Sequence, residues 1–476
     1  MERSVRPGTI GGTIRVPASK SHTIRALLIG ALAEGESRID NPLDSHDTAS
    51  CIGAVRLLGA QVSSTRDDDG RLQALRVRGT AGVPAPAADV VDVGNSGTTL
   101  YLAIGSAALS AGWTVFTGDE QIRGRSAANL LQALRDLGAE AFSTRDNGCA
   151  PLCIRGPLTG GRTSIECPTS QYLSSLLLAA PLADGDSEIE LPLLHEKPYA
   201  EMTLSRLDAQ GIRYERDGWK RFRIPGGQRY RAFSWAIPGD FSSATFWAVA
   251  AAVTGSELTL AGLDPSDPQG DKAVFEILSE MGCEVRHEGA DSAEGGAVER
   301  ADAREAPALG GITIRGPEAR REPGASTGAG TGSGTGTAAG VCAGHLRAGR
   351  FDLNAIPDAL PALTVAGCFA DGPVELVNVP QARMKETDRI NVMRTELEKL
   401  GATIEEHEDG LTIRPQSGRR RAALQGARVD GHADHRVVMS LAVAGLAAAG
   451  ETVITGAEAA GVTYPGFFET LDAIRR

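Results

Sequence analysis

Six apolar segments, each closing on a glycine and running into a short alternating stretch, recur along the chain. They end at Gly35, Gly112, Gly185, Gly255, Gly372 and Gly450, at intervals of 77, 73, 70, 117 and 78 residues. Each apolar segment predicts a buried helix. The glycine fits a left-handed C-terminal cap, and the alternating stretch after it predicts a strand. A second, amphipathic helix recurs out of phase, as in AANLLQALRDLGAE. This series closes near Gly59, Gly138, Gly211, Gly282 and Gly401.

Each unit therefore holds two helices and several strands in roughly 75 residues, close to a split β-α-β element. One such unit cannot bury its own faces, so six units are expected to pack as two groups of three. The long interval carries its excess between Cys283 and Phe351. Gly324 to Gly340 holds nothing bulkier than Thr, too little apolar area to offset its ordering entropy. Residues 289–310 and 317–346 are expected to be disordered insertions, with Ile312 to Arg315 a strand between them.

Composition narrows the function. The 476 residues are 42% hydrophobic and 23% charged, the balance of a folded, soluble chain of more than one domain. No apolar run reaches the ~18 residues of a membrane span; the run Val437 to Ala449 is broken by Ser440 and Gly445. The first residues, Met-Glu-Arg-Ser-Val-Arg-Pro, hold no apolar signal core, which predicts a cytoplasmic protein. Seven scattered cysteines argue against a disulfide framework or a zinc site. A net charge of −12 disfavours nucleic acid as a partner. No dinucleotide fingerprint or P-loop is present.

Polar clusters stand at the expected start of every buried helix. They are Lys20-Ser21, Asn95 to Thr98, Thr169 to Gln171, Asp240 to Ser243, Pro357-Asp358 and Asp434 to Arg436. Capping explains Ser, Thr, Asn and Asp there. It does not explain Lys20 or Arg436, because a cation opposes the helix dipole at that end. An anion held between cation and helix resolves the conflict. The second helices also open on charge, at Gly118 to Arg125, Lys197 to Tyr199 and Lys385 to Arg389. An acidic chain with basic helix starts implies a small ligand carrying several negative groups.

These segments carry a family likeness. They read V-P-A-S-K-S-x-x-x-R-A-L-L (Val16 to Leu28), G-N-S-G-T-T (Gly94 to Thr99), T-G-D-E-x-x-x-x-R (Thr117 to Arg125) and T-S-Q-Y-L (Thr169 to Leu173). I-P-D-A (Ile356 to Ala359), K-E-T-D-R (Lys385 to Arg389) and D-H-R (Asp434 to Arg436) complete the set. In this order they resemble the 5-enolpyruvylshikimate-3-phosphate synthases, from about Thr13 to Leu471 apart from the insertions.

The resemblance implies a two-domain inside-out α/β barrel of six β-α-β-α-β-β units, three per domain. One domain would be 19–237, inserted in another built from 1–18 and 238–476. The implied reaction moves the enolpyruvyl group of phosphoenolpyruvate to the 5-hydroxyl of shikimate 3-phosphate and releases phosphate, by addition and elimination. This is a step of the shikimate pathway to aromatic amino acids. It implies a monomer acting on two small molecules, without metal or cofactor.

The likeness also implies roles. Lys20, Ser21, Arg25, Thr169, Ser170, Gln171, Asp358 and Lys385 would bind shikimate 3-phosphate. Lys20, Gly97, Arg125, Gln171, Arg389 and Arg436 would bind phosphoenolpyruvate. Asp358 would be the base on the 5-hydroxyl, Glu386 would move the proton at the methylene carbon, and Lys20 would assist.

Five positions depart from the family pattern. Val462 replaces a Lys that contacts phosphoenolpyruvate, which implies weaker binding of that substrate. Tyr101 replaces an Arg, Glu196 a Ser or Arg, Ala433 an Asn, and Gln381 often an Asn. A sister enolpyruvyl transferase acting on UDP-N-acetylglucosamine is the nearest alternative. It carries a Lys-Asn pair and a reactive loop Cys, where this chain has Lys20-Ser21 and no Cys around Arg125. A non-catalytic relative that binds shikimate 3-phosphate is a further alternative, opposed by the retained Asp358 and Glu386.

Overall fold

The structure, a computed structural model, describes residues 1–288, 310–317, 345–415 and 424–476. Six helices form its interior: Lys20–Leu32, Gly97–Ala107, Ser170–Ala179, Phe241–Thr254, Leu360–Gly367 and His435–Ala447. The second, fourth, fifth and sixth of these are buried at every position. They lack a polar face, so only a site enclosed on all sides suits them. Helix Gly97–Ala107 packs between the first and third; the last three pack on one another. A Cβ at Gly105 would stand 2.6 Å from the Ser175 carbonyl oxygen, so that close crossing requires glycine.

Buried apolar side chains fall into two cores. One joins Val5, Ile10, Ile14 and Val16 to residues between Phe241 and Leu471. The other runs from Ala18 to Ile237. Five four-stranded sheets share one pattern. In one of them Gly161–Cys167 runs parallel to Ser187–Leu194, which pairs antiparallel with Arg221–Ile224, and that strand with Glu215–Asp217. Among the described residues the sixth sheet has three strands, with Glu2–Val5 antiparallel to Thr452–Thr455 and the latter parallel to Arg428–Asp430. Among the described residues the sixth sheet is thus one strand shorter than the other five and takes its third strand from the N-terminus.

Two strands are exchanged between the halves. Gly11–Arg15 precedes the first buried helix but pairs with Glu257–Leu263. Ser234–Ala236 precedes the fourth but pairs with Glu36–Asp40. The two connecting segments run side by side: Ser19 N donates to the Pro238 carbonyl at 2.8 Å, and Asp240 N to the Pro17 carbonyl at 2.9 Å.

The six predicted capping glycines need a correction. Gly35, Gly255 and Gly450 have positive φ, but Gly112, Gly185 and Gly372 do not. A Cβ at Gly112 would stand 2.3 Å from Pro86 Cγ, and at Gly185 2.7 Å from the Thr159 carbonyl oxygen. Close approach, not backbone hand, selects glycine there. The second series, Gly59, Gly138, Gly211, Gly282 and Gly401, is left-handed throughout.

The predicted strand at Ile312 is present as Gly310–Arg315. Gly310 therefore belongs to a strand rather than to the first insertion. Leu346, placed in the second, is buried and bridges Ala370. The remainder of both predicted insertions, apart from Pro317 and His345, lies outside the described residues.

Candidate active site

Five of the six buried helices point their N-termini at one cavity of about 680 Å³ between the two cores. Every helix-start cluster but one sends residues into it, and every residue given a binding or proton-transfer role lines it: Lys20, Ser21, Arg25, Gly97, Arg125, Thr169, Ser170 and Gln171 from one side, Asp358, Lys385, Glu386, Arg389 and Arg436 from the other. The exception is the cluster Asp240 to Ser243. Asp240 accepts from the backbone N–H and hydroxyl of Ser243 at 3.0 and 2.7 Å, which is capping.

On the first side, Arg25 is fully buried. It donates to the Thr203 and Ser174 hydroxyls and to the carbonyls of Ser21 and Tyr199, at 2.8, 3.3, 3.0 and 2.8 Å. Burial pushes its pKa down to about 10. Lys20 Nζ lies 3.1 Å from Asp47. Gln171 donates to the Thr98 hydroxyl at 3.1 Å, tying two helix starts together. Asn95 donates to Asp119 at 2.6 Å, fixing the loop that carries Arg125. Arg125 Nη2 meets Glu386 across the cavity at 3.3 Å, and among the described residues its Nε has no hydrogen-bond partner.

On the second side, Arg389 is the hub. It is 1% exposed and contacts Asp434 at 2.8 Å, Asp358 at 2.8 Å and Glu386. Arg436 reaches Asp358 at 2.9 Å, and Lys385 stands 3.8 Å from it. Burial opposes ionisation of Asp358, but Arg436, Lys385 and Arg389 outweigh it and hold the carboxyl well below its ordinary 3.8. Glu386 is likewise buried and is held far below its ordinary 4.5 by Arg389 and Arg125. Carboxylates with depressed values stabilise the fold above their unfolded pKa. That contribution is lost as pH falls through the folded values.

The departures from the family pattern have defined places. Tyr101 and Tyr172 meet edge to face at 5.2 Å, and both donate to the Ser126 carbonyl, beside Arg125. Gln381 is buried and donates to the Asn354 carbonyl at 2.9 Å, leaving its own oxygen unpartnered. His432 and Ala433 are both left-handed, at φ 50 and 53, just before Asp434. Glu196, also left-handed, lines the cavity, whereas Val462 does not. Val462 ends a short 3-10 helix packed near the helix His46–Leu57.

The sequence assigned no role to three groups. His435 lines the cavity, among the described residues neither ring nitrogen has a hydrogen-bond partner, and burial pushes its pKa down to about 3. Tyr199 donates to Asp271 at 2.7 Å and to Asp358 at 3.3 Å; its place in K-P-Y was the available signal. Asp271 had none. Burial and the nearby Asp358 charge push Asp271 up to about 6. An acid with a raised folded value costs stability above its ordinary 3.8, and the cost grows until about 6. Asp271→Asn should therefore gain stability relative to the parent as pH rises from 4 to 7, on the order of 2 kcal/mol, read as a relative rise in melting temperature. A pH-independent difference between the two melting curves would refute this.

Among the described residues no group of three or more His, Cys, Asp or Glu side chains is arranged to hold a metal, and no helix is long and apolar enough to cross a membrane. Two α/β halves gather cationic helix starts around a shared cavity, a cleft suited to small polyanions. The chain belongs to the EPSP synthase (3-phosphoshikimate 1-carboxyvinyltransferase) family, whose profile matches residues 5–310 and 325–471. It is 49% identical over 467 residues to a 3-phosphoshikimate 1-carboxyvinyltransferase of Acetivibrio thermocellus, covering 98% of this chain and 96% of that one. A relative of the same name from Ruminiclostridium cellulolyticum is 47% identical, with 98% and 97% covered. The fold matches an EPSP synthase structure from Acinetobacter baumannii with a TM-score of 0.75 at 26% identity, covering 100% of this chain and 98% of that one.

Proposed function

We propose that the cleft transfers the enolpyruvyl group of phosphoenolpyruvate to the 5-hydroxyl of shikimate 3-phosphate and releases phosphate. The observation that carries this reading is the single cavity in which Lys20, Arg25, Arg125, Lys385, Arg389 and Arg436 meet Asp358 and Glu386. Each substrate brings a phosphate and a carboxylate, and the cations match them. Lys20, Ser21, Arg25, Thr169, Ser170, Gln171 and Lys385 hold shikimate 3-phosphate. Lys20, Gly97, Arg125, Gln171, Arg389 and Arg436 hold phosphoenolpyruvate.

Asp358 takes the 5-hydroxyl proton as the oxygen attacks C2 of phosphoenolpyruvate, and Glu386 delivers a proton to the methylene carbon. The tetrahedral ketal then loses phosphate, which departs with the proton that Asp358 had taken, as a methyl proton returns to Glu386. Ionised Glu386 must first acquire that proton. When the phosphate and carboxylate of phosphoenolpyruvate engage Arg125 and Arg389, they compete with Glu386 for the cations that hold it ionised. Substrate binding thereby raises the Glu386 pKa when a proton is needed.

The two cores support reading 19–237 as a domain inserted into one made of 1–18 and 238–476. We place the protein in the cytoplasm as a monomer, and its charge of −12 supports the reading that it has no nucleic-acid partner. The deciding experiment measures phosphate release with both substrates and with each omitted in turn. Release that needs only one of them would defeat the assignment.

Gly97 offers a check on the phosphoenolpyruvate side. A Cβ there would stand 2.5 Å from Arg125 NH1, the far end of a flexible chain, so the guanidinium must swing aside. Losing a charge-assisted hydrogen bond of roughly 1.5–3 kcal/mol, Gly97→Ala should raise KM for phosphoenolpyruvate by about one to two powers of ten. KM for shikimate 3-phosphate should change far less. Equal shifts in both constants would take Arg125 out of this role.

A further inference from the structure

One acidic side chain sits among donors suited to a substrate anion. Glu196 is 2% exposed and precedes the helix Lys197–Ala209, held in the left-handed region at φ 57. Its Oε2 accepts from the Thr169 hydroxyl at 3.0 Å, and from the Ser170 backbone N–H and hydroxyl at 3.2 Å each. Its Oε1 pairs with Lys385. Two hydroxyls, a helix-start N–H and an ammonium form a complement for one phosphate group. In this structure a carboxylate of the chain itself fills it.

The occupant also bridges the halves. Thr169, Ser170 and Glu196 belong to the first side and Lys385 to the second, and Glu196 N donates to the Asn354 carbonyl at 3.3 Å. Lys385 is shared, because its ammonium stands 3.8 Å from Asp358. If Glu196 leaves, Lys385 keeps Asp358 as its remaining carboxylate.

We infer that Glu196 is a specificity-determining residue: an internal anion seated in the subsite for the phosphate of shikimate 3-phosphate, which the substrate must displace. The inference rests on the proposed reading of the cleft. Affinity for the phosphorylated substrate is set by competition between its phosphate and the Glu196 carboxylate for Thr169, Ser170 and Lys385. Displacement hands Lys385 to the Asp358 side, so phosphate binding and the arrangement around the base are linked through one ammonium.

The test compares Glu196→Ser and Glu196→Gln with the parent. Serine vacates the subsite and leaves a hydroxyl; glutamine keeps the shape and removes the charge, and serves should the serine variant fail to fold. KM for shikimate 3-phosphate should fall about tenfold in Glu196→Ser and less in Glu196→Gln. Turnover of unphosphorylated shikimate should not improve, so selectivity for the phosphorylated substrate rises, which loss of packing alone does not produce. Inorganic phosphate, titrated calorimetrically into each protein without substrates, should bind tighter to the variants. An unchanged or raised KM in both variants, with phosphate binding no tighter, overturns the inference. Absence of two-substrate turnover in the parent overturns the reading of the reaction instead, and the phosphate titration still decides the role of Glu196.

Discussion

Asp358→Asn should give a folded protein that binds shikimate 3-phosphate and turns it over about 10²–10⁴-fold more slowly. The amide keeps the carboxylate's shape, and its oxygen can still accept from Arg389 or Tyr199. What it loses is the capacity to take the 5-hydroxyl proton. Arg389 retains Asp434 and Glu386 and Lys385 retains Glu196, while Arg436 exchanges a carboxylate for an amide oxygen. Removing the Asp358 charge also relieves Asp271, whose raised value owes part of its shift to that neighbour. Calorimetric binding of shikimate 3-phosphate and steady-state phosphate release separate the outcomes. A variant that binds and turns over at near-parent rates would remove Asp358 from the role of base.

Arg389→Met should damage both stability and binding. Methionine fills much of the volume and removes the charge. Asp358 then keeps Arg436 and Lys385, and Glu386 keeps Arg125. Asp434 is left buried with the Thr387 hydroxyl at 3.1 Å and the Arg436 N–H at 2.9 Å. Removing one member of a buried ion network costs about 3–5 kcal/mol, because the remaining charges stay desolvated. Without Arg389 the folded pKa of Asp434 rises. The deficit in melting temperature should then be largest at pH 8 and narrow toward pH 5, as protonation removes the unpaired charge. Phosphoenolpyruvate binding should weaken as well. A melting temperature equal to that of the parent would mean that the carboxylates find other partners.

The pairing of Glu196 with Lys385 illustrates how chemistry and arrangement differ in origin. The motifs identified Lys385 as a substrate cation and Glu196 as a departure from the family pattern. Nothing in their local spacing, 189 positions apart, indicated that one would neutralise the other. The same holds for Tyr199, whose hydroxyl joins Asp271 to Asp358. Tyr101 would have read as a lost cation, yet with Tyr172 it anchors the Ser126 carbonyl and so steadies the Arg125 loop.

The sequence by itself determined the repeat, the six buried helices and the residues at their starts. Helix burial follows from an all-round apolar surface, and the left-handed turns after the amphipathic helices follow from glycines placed where a Cβ strains the backbone. These are local properties, written within a dozen neighbouring residues. Tertiary structure decided what depends on distant contacts. It exchanged strands Gly11–Arg15 and Ser234–Ala236 between halves, completed the last sheet with Glu2–Val5, and made Gly112 and Gly185 necessary through close approach. It also decided which carboxylate each cation holds. Protonation and affinity in the cleft are set by Coulomb interactions among groups brought together from distant segments of the chain, over distances that only packing defines.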